Sequence, residues 1–161
     1  MESSSGRDGV HRLRRRPSFA LALGVVAVVG VLVRLWFGLG VASDMPYASD
    51  VSAYRSMAEN LAHGNGVALS EEPGSQPEAT GAHPPFHPTV MAIADVAGLR
   101  SADQQRVVFA LVGGLGVAFL GLAGRRLVDG RVGLVAAAIV AVHPLWFQPS
   151  GLLTSEATYL R

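Results

Sequence analysis

The sequence predicts an all-α integral membrane protein with about three transmembrane helices and additional juxtamembrane helices in an outer loop. Half of the 161 residues are hydrophobic and only 16% are charged, whereas a soluble domain carries about 25% charged residues. Long apolar stretches alternate with short arginine-rich segments, which is typical of membrane spans joined by cytoplasmic loops. Most of the acidic residues fall in one long segment between the first two spans. This separation of charge predicts which side of the membrane each loop occupies.

The first predicted span covers residues 19–41 and follows a basic tail, residues 1–18. At about 1.5 Å per residue, the span is long enough to cross a hydrocarbon core of roughly 30 Å. Its single charged residue is Arg34, which either snorkels to the interface or faces a polar interior. The tail holds five arginines between positions 7 and 16. The positive-inside rule therefore predicts a cytoplasmic amino terminus and a multi-pass protein of the cell membrane.

Two later apolar stretches predict a membrane hairpin. Residues 107–124 and 132–148 form its two spans, and the turn at 125–131 carries three arginines, which places it in the cytoplasm. Pro144 near the end of the third span removes one amide donor and should loosen the last turn. Residues 149–161 are then an outer segment or the start of a fourth helix.

The loop of residues 42–106 is predicted to lie outside and to contain two amphipathic helices, at 51–63 and 86–99. The first shows the apolar spacing of a helix, with Asp50 expected as its N-cap and Gly64 as its end. The second is too short for a span, so we expect it on the membrane surface or as a re-entrant piece. The proline-rich stretch of residues 70–88 is expected to be irregular.

Composition excludes several classes of function. The chain has no cysteine, so it has no disulfide framework, zinc-thiolate site or thiol nucleophile. A net charge of +1 gives no support for nucleic-acid binding. No glycine-rich nucleotide loop follows a predicted strand. Any chemistry must therefore use carboxylates, histidines, hydroxyls or groups of a ligand.

Two carboxylates are the first candidates for such chemistry. Asp50 follows the first span and Glu156 follows the third, so both are predicted on the outer side. Carboxylates that converge at one cavity can act as a general base and as a group that orients the substrate or holds a cation. The alternative interpretation makes Asp50 a plain helix cap and Glu156 part of the start of a helix.

Four features, in order along the chain, resemble a known family. They are Arg34 late in the first span, Ser49-Asp50 with Tyr54 and Leu61-Ala62-His63-Gly64-Asn65-Gly66, Ala82-His83-Pro84-Pro85-Phe86-His87-Pro88, and Gly124-Arg125-Arg126-Leu127 leading to Ser155-Glu156. With these features the chain resembles the amino-terminal part of GT-C class glycosyltransferases of family 39. That group includes protein O-mannosyltransferases and lipid A aminoarabinose transferases.

The resemblance implies a truncated GT-C helical bundle that transfers a sugar from a polyprenyl-phosphate donor to an acceptor at the outer face of the membrane. It implies Asp50 as the base that takes the acceptor's proton and Glu156 as a second acid near the sugar. His83 matches the position that contacts the lipid phosphate, and His87 is a second candidate for that contact. The donor is a substrate, no certain cofactor is implied, and a divalent cation is left open.

The chain departs from the family in two respects. Relatives often pair two adjacent acids, whereas here Val51 follows Asp50. Relatives also have many more spans, so we expect the chain ending at Arg161 to be incomplete and to need further helices or a partner membrane subunit. The alternative function is a small non-catalytic membrane protein whose Gly-rich and Ala-rich spans pack against partner helices.

Overall fold

The computed structural model describes residues 18–45, 49–70, 75–81 and 83–154. Of the basic tail predicted at residues 1–18, only Ser18 is among the described residues. Glu156 lies outside them. The elements, in chain order, are α1 (Phe19–Trp36), a π-helical turn (Phe37–Val41), a 3-10 turn (Ala42–Asp44), α2 (Ser49–Ala62), β1 (Ala68–Leu69), β2 (Glu78–Ala79), α3 (Phe86–Val96), α4 (Ala102–Leu127), α5 (Gly130–Val142) and α6 (Pro144–Leu152).

The chain is mostly helical, and two of its helices are long and apolar enough to cross a membrane. These are the continuous segment Phe19–Asp44 and α4, each of 26 residues. The prediction of an all-α membrane protein is confirmed at this level. A third span exists if α5 and α6 together count as one, although they meet at an angle of 46°.

The break between α5 and α6 is sharper than the loosened last turn that the sequence predicted. His143 has an extended conformation with ψ 128°, and its Nδ1 accepts a hydrogen bond from Leu145 N at 3.3 Å. His143 therefore ends α5 and caps α6 at the same time. Pro144 suits the first turn of a helix because its missing amide hydrogen would have had no partner there.

Two antiparallel helices, α4 and α5, lie where the hairpin was predicted. Asp129 caps α5, because its Oδ1 accepts hydrogen bonds from Arg131 N at 2.7 Å and Val132 N at 2.8 Å. α4 begins five residues before the apolar stretch does. A capping box between Ser101 and Gln104 starts it, so the first turn is polar and carries no hydropathy signal.

α1, α4 and α5 form a bundle, in which α4 runs antiparallel to the other two. Glycines lie at the closest approaches: a Cβ on Gly124 would lie 2.8 Å from the Cα of Gly133, and one on Gly30 would lie 3.3 Å from the Cβ of Ala141. Small residues of this kind let helix backbones approach closely. At the opposite end from the loop layer described next, the guanidinium of Arg125 lies 4.5 Å from the centre of the Phe19 ring.

The described residues between 49 and 100 form a layer on the end of the bundle where α1 ends and α4 begins; we call it the loop layer. Its helices α2 and α3 lie where two amphipathic helices were predicted, with shifted ends. Each ends at a glycine with a left-handed backbone, Gly64 at φ 83° and Gly98 at φ 87°, as in Schellman motifs. Asp50 lies in the first turn of α2, not at its N-cap as predicted.

One strand of a small antiparallel ladder, β2, lies in the stretch that was predicted to be irregular, and its partner β1 lies just before that stretch. In the ladder Ala68 pairs with Ala79 and Leu69 pairs with Glu78. Strands of two residues are too short to produce a periodic pattern in the sequence.

Candidate functional site

Four aromatic rings join the loop layer to the bundle. Tyr54 of α2 lies between two histidines, with ring centroids 5.1 Å from His83 and 4.8 Å from His87. His87 of α3 stacks in turn on Phe109 of α4, at 4.5 Å and 13°. We call these four residues the aromatic column. It runs from the buried surface of α4 outward, because Phe109, His87 and Tyr54 are at most 2% exposed whereas His83 is half-buried.

Asp50 lies one helical turn before Tyr54 on α2 and is exposed. Residues four apart on a helix share a face, with Cβ atoms about 5 to 6 Å apart. Asp50 therefore belongs to the same side of α2 as the column. A carboxylate in the first turn also interacts favourably with the helix dipole.

His83 lies at the outer end of the column, before α3. Two prolines separate it from α3 and restrict the backbone there, and Pro85 O accepts a hydrogen bond from Thr89 Oγ1 at 2.7 Å. The rings of Tyr54 and His83 meet edge to face, at an interplanar angle of 70°. This contact brings the His-Pro-Pro segment against the helix that carries Asp50.

His87 is fully buried and forms part of the core. Its Nε2 lies 3.2 Å from the carbonyl oxygen of Leu153, which can only accept, so Nε2 is the donor. Leu153 follows α6 and has a left-handed backbone, φ 56°. The segment that leads to Glu156 thus starts at the aromatic column, although Glu156 itself lies outside the described residues. His87 has no exposed surface to offer a phosphate.

Arg106 is a residue that the sequence analysis missed. Its side chain is buried and donates hydrogen bonds to Gly151 O at 3.1 Å and to Ala42 O at 3.0 Å, while Nη1 lies 2.7 Å from Asp103 Oδ1. One guanidinium therefore fixes the end of the first span and the end of α6 against the start of α4. The only signal in the sequence is an arginine beside an apolar run, which is also typical of a membrane boundary.

Arg34 faces the bundle interior, which decides between the two predicted alternatives. It is 3% exposed. Nη1 donates to Gly30 O at 2.9 Å and Ala141 O at 3.4 Å, and Nη2 donates to Trp146 O at 3.2 Å. Ala141 lies at the end of α5, where the break exposes carbonyl groups that a cation satisfies well. Gly113 makes room for the side chain, because a Cβ there would lie 2.8 Å from Arg34 Cδ.

The arrangement offers an exposed carboxylate, Asp50, one helical turn before the tyrosine that contacts the half-buried imidazole of His83. A carboxylate can accept a proton, and an imidazole can donate a hydrogen bond to an anion. Within residues 18–45, 49–70, 75–81 and 83–154, no three His, Asp or Glu side chains group closely enough to hold a metal ion.

Comparisons of the chain with protein-family models, with curated proteins and with solved structures gave no match.

Proposed function

We propose that this chain is part of a membrane glycosyltransferase that uses a polyprenyl-phosphate sugar as donor and works at the outer face of the cell membrane. The observation that carries the proposal is the ring contact between Tyr54 and His83. It joins two sequence motifs that lie far apart in the chain, one with the candidate base and one with the candidate phosphate ligand. A chance resemblance of separate motifs would not require them to meet in space.

In the proposed reaction a hydroxyl or amine of the acceptor attacks the anomeric carbon of the sugar. The new bond forms as the bond between that carbon and the phosphate oxygen breaks, and the lipid phosphate leaves with the bonding electrons. Asp50 takes the proton that the acceptor loses. General-base catalysis of this kind contributes about 10² to 10⁴ in rate.

His83 is proposed to donate a hydrogen bond to the leaving phosphate, because it is accessible and lies at the outer end of the column. His87 is proposed to support this geometry from the core instead of binding phosphate itself. It contacts Tyr54 on one side and Leu153 O on the other. Glu156 is proposed as the second acid near the sugar on the resemblance alone.

Sugar transfer in native membranes tests the proposal. The protein is expressed from its natural reading frame, together with any sequence that follows Arg161, and the membranes receive polyprenyl-phosphate mannose, glucose or arabinose with a radiolabelled sugar. We expect transfer from one of these donors. Asp50→Asn should lower the rate about 10²-fold to 10⁴-fold because the proton acceptor is lost.

Glu78→Gln is the matched control. Glu78 is an exposed acid of the same loop layer, in β2 and outside the aromatic column, so this variant should keep the full rate. Transfer that survives Asp50→Asn within a factor of two contradicts the assigned base. Absence of transfer from every polyprenyl-phosphate sugar contradicts the proposed function.

The alternative function, a scaffold for partner helices, has lost part of its basis. It relied on unpacked small residues, but several of the glycines are already in contact within the bundle, and Gly24 and Gly116 are the helical glycines of α1 and α4 with no neighbour within 4 Å of an added Cβ. Sequencing past the codon for Arg161 separates the two functions. Further spans in frame favour the glycosyltransferase, and a stop codon followed by unrelated sequence favours the scaffold.

A further inference from the structure

A polar groove of about 340 Å³ lies between α2 and the end of α3, lined by residues other than those of the aromatic column. Its lining residues are Arg55, Glu59, Ala62, His63, Asp95, Val96 and Arg100. The proposed glycosyltransferase function makes no use of this groove.

Two arginines in this groove lie close together without a carboxylate partner. Arg55 Nη2 donates to Arg100 O at 3.2 Å, and Arg100 Nε donates to Asp95 O at 3.3 Å. Both acceptors are backbone carbonyls, and no carboxylate of the described residues lies within 4.0 Å of either guanidinium. Each guanidinium has five donors, so most of them remain available. Such a pair is suited to a phosphate, which guanidinium groups bind in a bidentate manner.

An apolar stripe on α3 adjoins the groove. Phe86, Ile93 and Val96 lie at helical spacing on one side of α3 and are 52%, 66% and 72% exposed. The opposite side of α3, including Met91, is buried against α2 and α4. Val96 belongs both to the stripe and to the groove lining. An exposed stripe of this size beside basic residues is typical of a helix that lies in a membrane interface.

The groove adjoins the start of the apolar run of α4, which is long and apolar enough to cross a membrane. Gln105 Nε2 of α4 donates to Leu99 O at 2.9 Å and to Asp95 Oδ1 at 2.8 Å. The continuous apolar run of α4 begins only two residues later, at Val107. The end of α3 is therefore within about one helical turn of the hydrocarbon boundary, where the phosphates of lipid head groups lie.

We propose that this groove binds the head group of a phospholipid with a primary amine, from the membrane leaflet that adjoins the loop layer. Its phosphate lies on the guanidinium groups of Arg55 and Arg100, and its acyl chains lie along the apolar stripe of α3. The head-group ammonium lies on Glu59, the exposed acid of the groove. The second acid, Asp95, already accepts a hydrogen bond from Gln105. This proposal does not rest on the glycosyltransferase function.

Lipid retention by the purified full chain tests the proposal. Native mass spectrometry is performed in detergent with added phosphatidylethanolamine, phosphatidylcholine or phosphatidylglycerol of the same chain length. We expect the wild type to retain phosphatidylethanolamine over the other two. The double variant R55Q/R100Q should lower its retention at least about tenfold, since hydrogen bonds to charged groups are lost. Glu59→Gln should abolish the preference over phosphatidylglycerol.

Arg131→Gln is the matched control, because Arg131 is an exposed arginine at the other end of the bundle. It should leave lipid retention unchanged. R55K/R100K keeps both charges but loses the bidentate geometry, so it should retain less lipid than the wild type and more than R55Q/R100Q, which separates loss of binding from loss of folding. Retention by R55Q/R100Q equal to the wild type, or an equal loss in Arg131→Gln, overturns the proposal.

A soluble phosphate compound is the other source of the same chemistry. Free phosphoethanolamine, added at equal concentration, should fail to displace the lipid because it lacks acyl chains. Val96→Asn should weaken retention of the lipid and leave binding of phosphoethanolamine unchanged. If phosphoethanolamine displaces the lipid at equal concentration and Val96→Asn has no effect on retention, the groove binds a soluble ligand and the lipid proposal is overturned.

Discussion

The bundle of α1, α4 and α5 makes its closest contacts where side chains are absent, whereas the loop layer makes them through large rings. Gly124 and Gly133 let two backbones meet, and a Cβ on Gly121 would lie 3.2 Å from the Cβ of Ala137. In the loop layer, Tyr54 and His87 fill the space between α2, α3 and α4. The stability of the bundle should therefore fall when side-chain atoms are added, whereas the stability of the loop layer should fall when they are removed.

The largest effect should come from adding atoms to the bundle. Gly133→Val places a branched side chain against the backbone of Arg125, where a Cβ alone would lie 2.8 Å from Arg125 N. We expect a loss of about 3 kcal/mol in the free energy of unfolding, because the helices must separate. Chemical unfolding of detergent-solubilised protein, followed by circular dichroism, measures this loss.

Gly116→Ala is the control for that change. A Cβ on Gly116 meets nothing within 4 Å, so the variant should be neutral or more stable by about 0.5 to 1 kcal/mol through helix propensity. Equal destabilisation by both variants would show that the bundle does not depend on close approach at its glycines.

Removal of a ring from the loop layer should have the next largest effect. His87→Ala deletes a fully buried ring that touches Tyr54 and Phe109 and bonds to Leu153 O. We expect a loss of about 2 to 3 kcal/mol, as for other truncations to alanine in a core. The same unfolding titration measures it. The control is His63→Ala, at an exposed histidine just after α2. Its free energy of unfolding should stay within about 0.5 kcal/mol of the wild-type value. A loss similar to that of His87→Ala would argue against a structural role for the aromatic column.

The smallest loss of stability is expected at Gln105, a single side chain of α4 that links the bundle to the loop layer. Gln105→Leu removes hydrogen bonds from Nε2 to Leu99 O and Asp95 Oδ1. The loss should be about 1 kcal/mol, the usual net contribution of such bonds. Relative to the wild type, the Gln105→Leu variant should show a larger increase in hydrogen exchange for the backbone amides of α3 than for those of α4. Val107→Ala, on an exposed side of α4, is the control and should leave exchange in α3 unchanged.

The sequence predicted the elements whose signal is local. Hydropathy indicated the spans, Gly64 indicated the end of α2, and the three arginines of the turn indicated the hairpin between α4 and α5. The break at His143 was underestimated, because a proline in the first turn of a new helix and a proline that loosens an old one look alike in sequence.

Contacts between distant segments could not be predicted in the same way. The carbonyl groups that Arg106 and Arg34 bind belong to the backbone, so no residue type in the sequence marks them. Tyr54 was expected only as an apolar position of α2 and as part of a motif, and its position between His83 and His87 needed the fold. The roles of Asp50, Glu156, His83 and His87 in chemistry stay predictions.

The buried position of Arg34 also constrains the order in which the chain can assemble. A charged arginine costs about 2.5 to 3.5 kcal/mol on insertion scales at the centre of a lone span, and less toward the end of the span, where Arg34 lies. Two of its acceptors, Ala141 O and Trp146 O, are 107 and 112 residues further along the chain. During synthesis the first span therefore leaves the ribosome long before its guanidinium finds those partners. The apolar residues of the first span are sufficient for it to insert alone, but the guanidinium gains these two acceptors only after the third apolar stretch has been made.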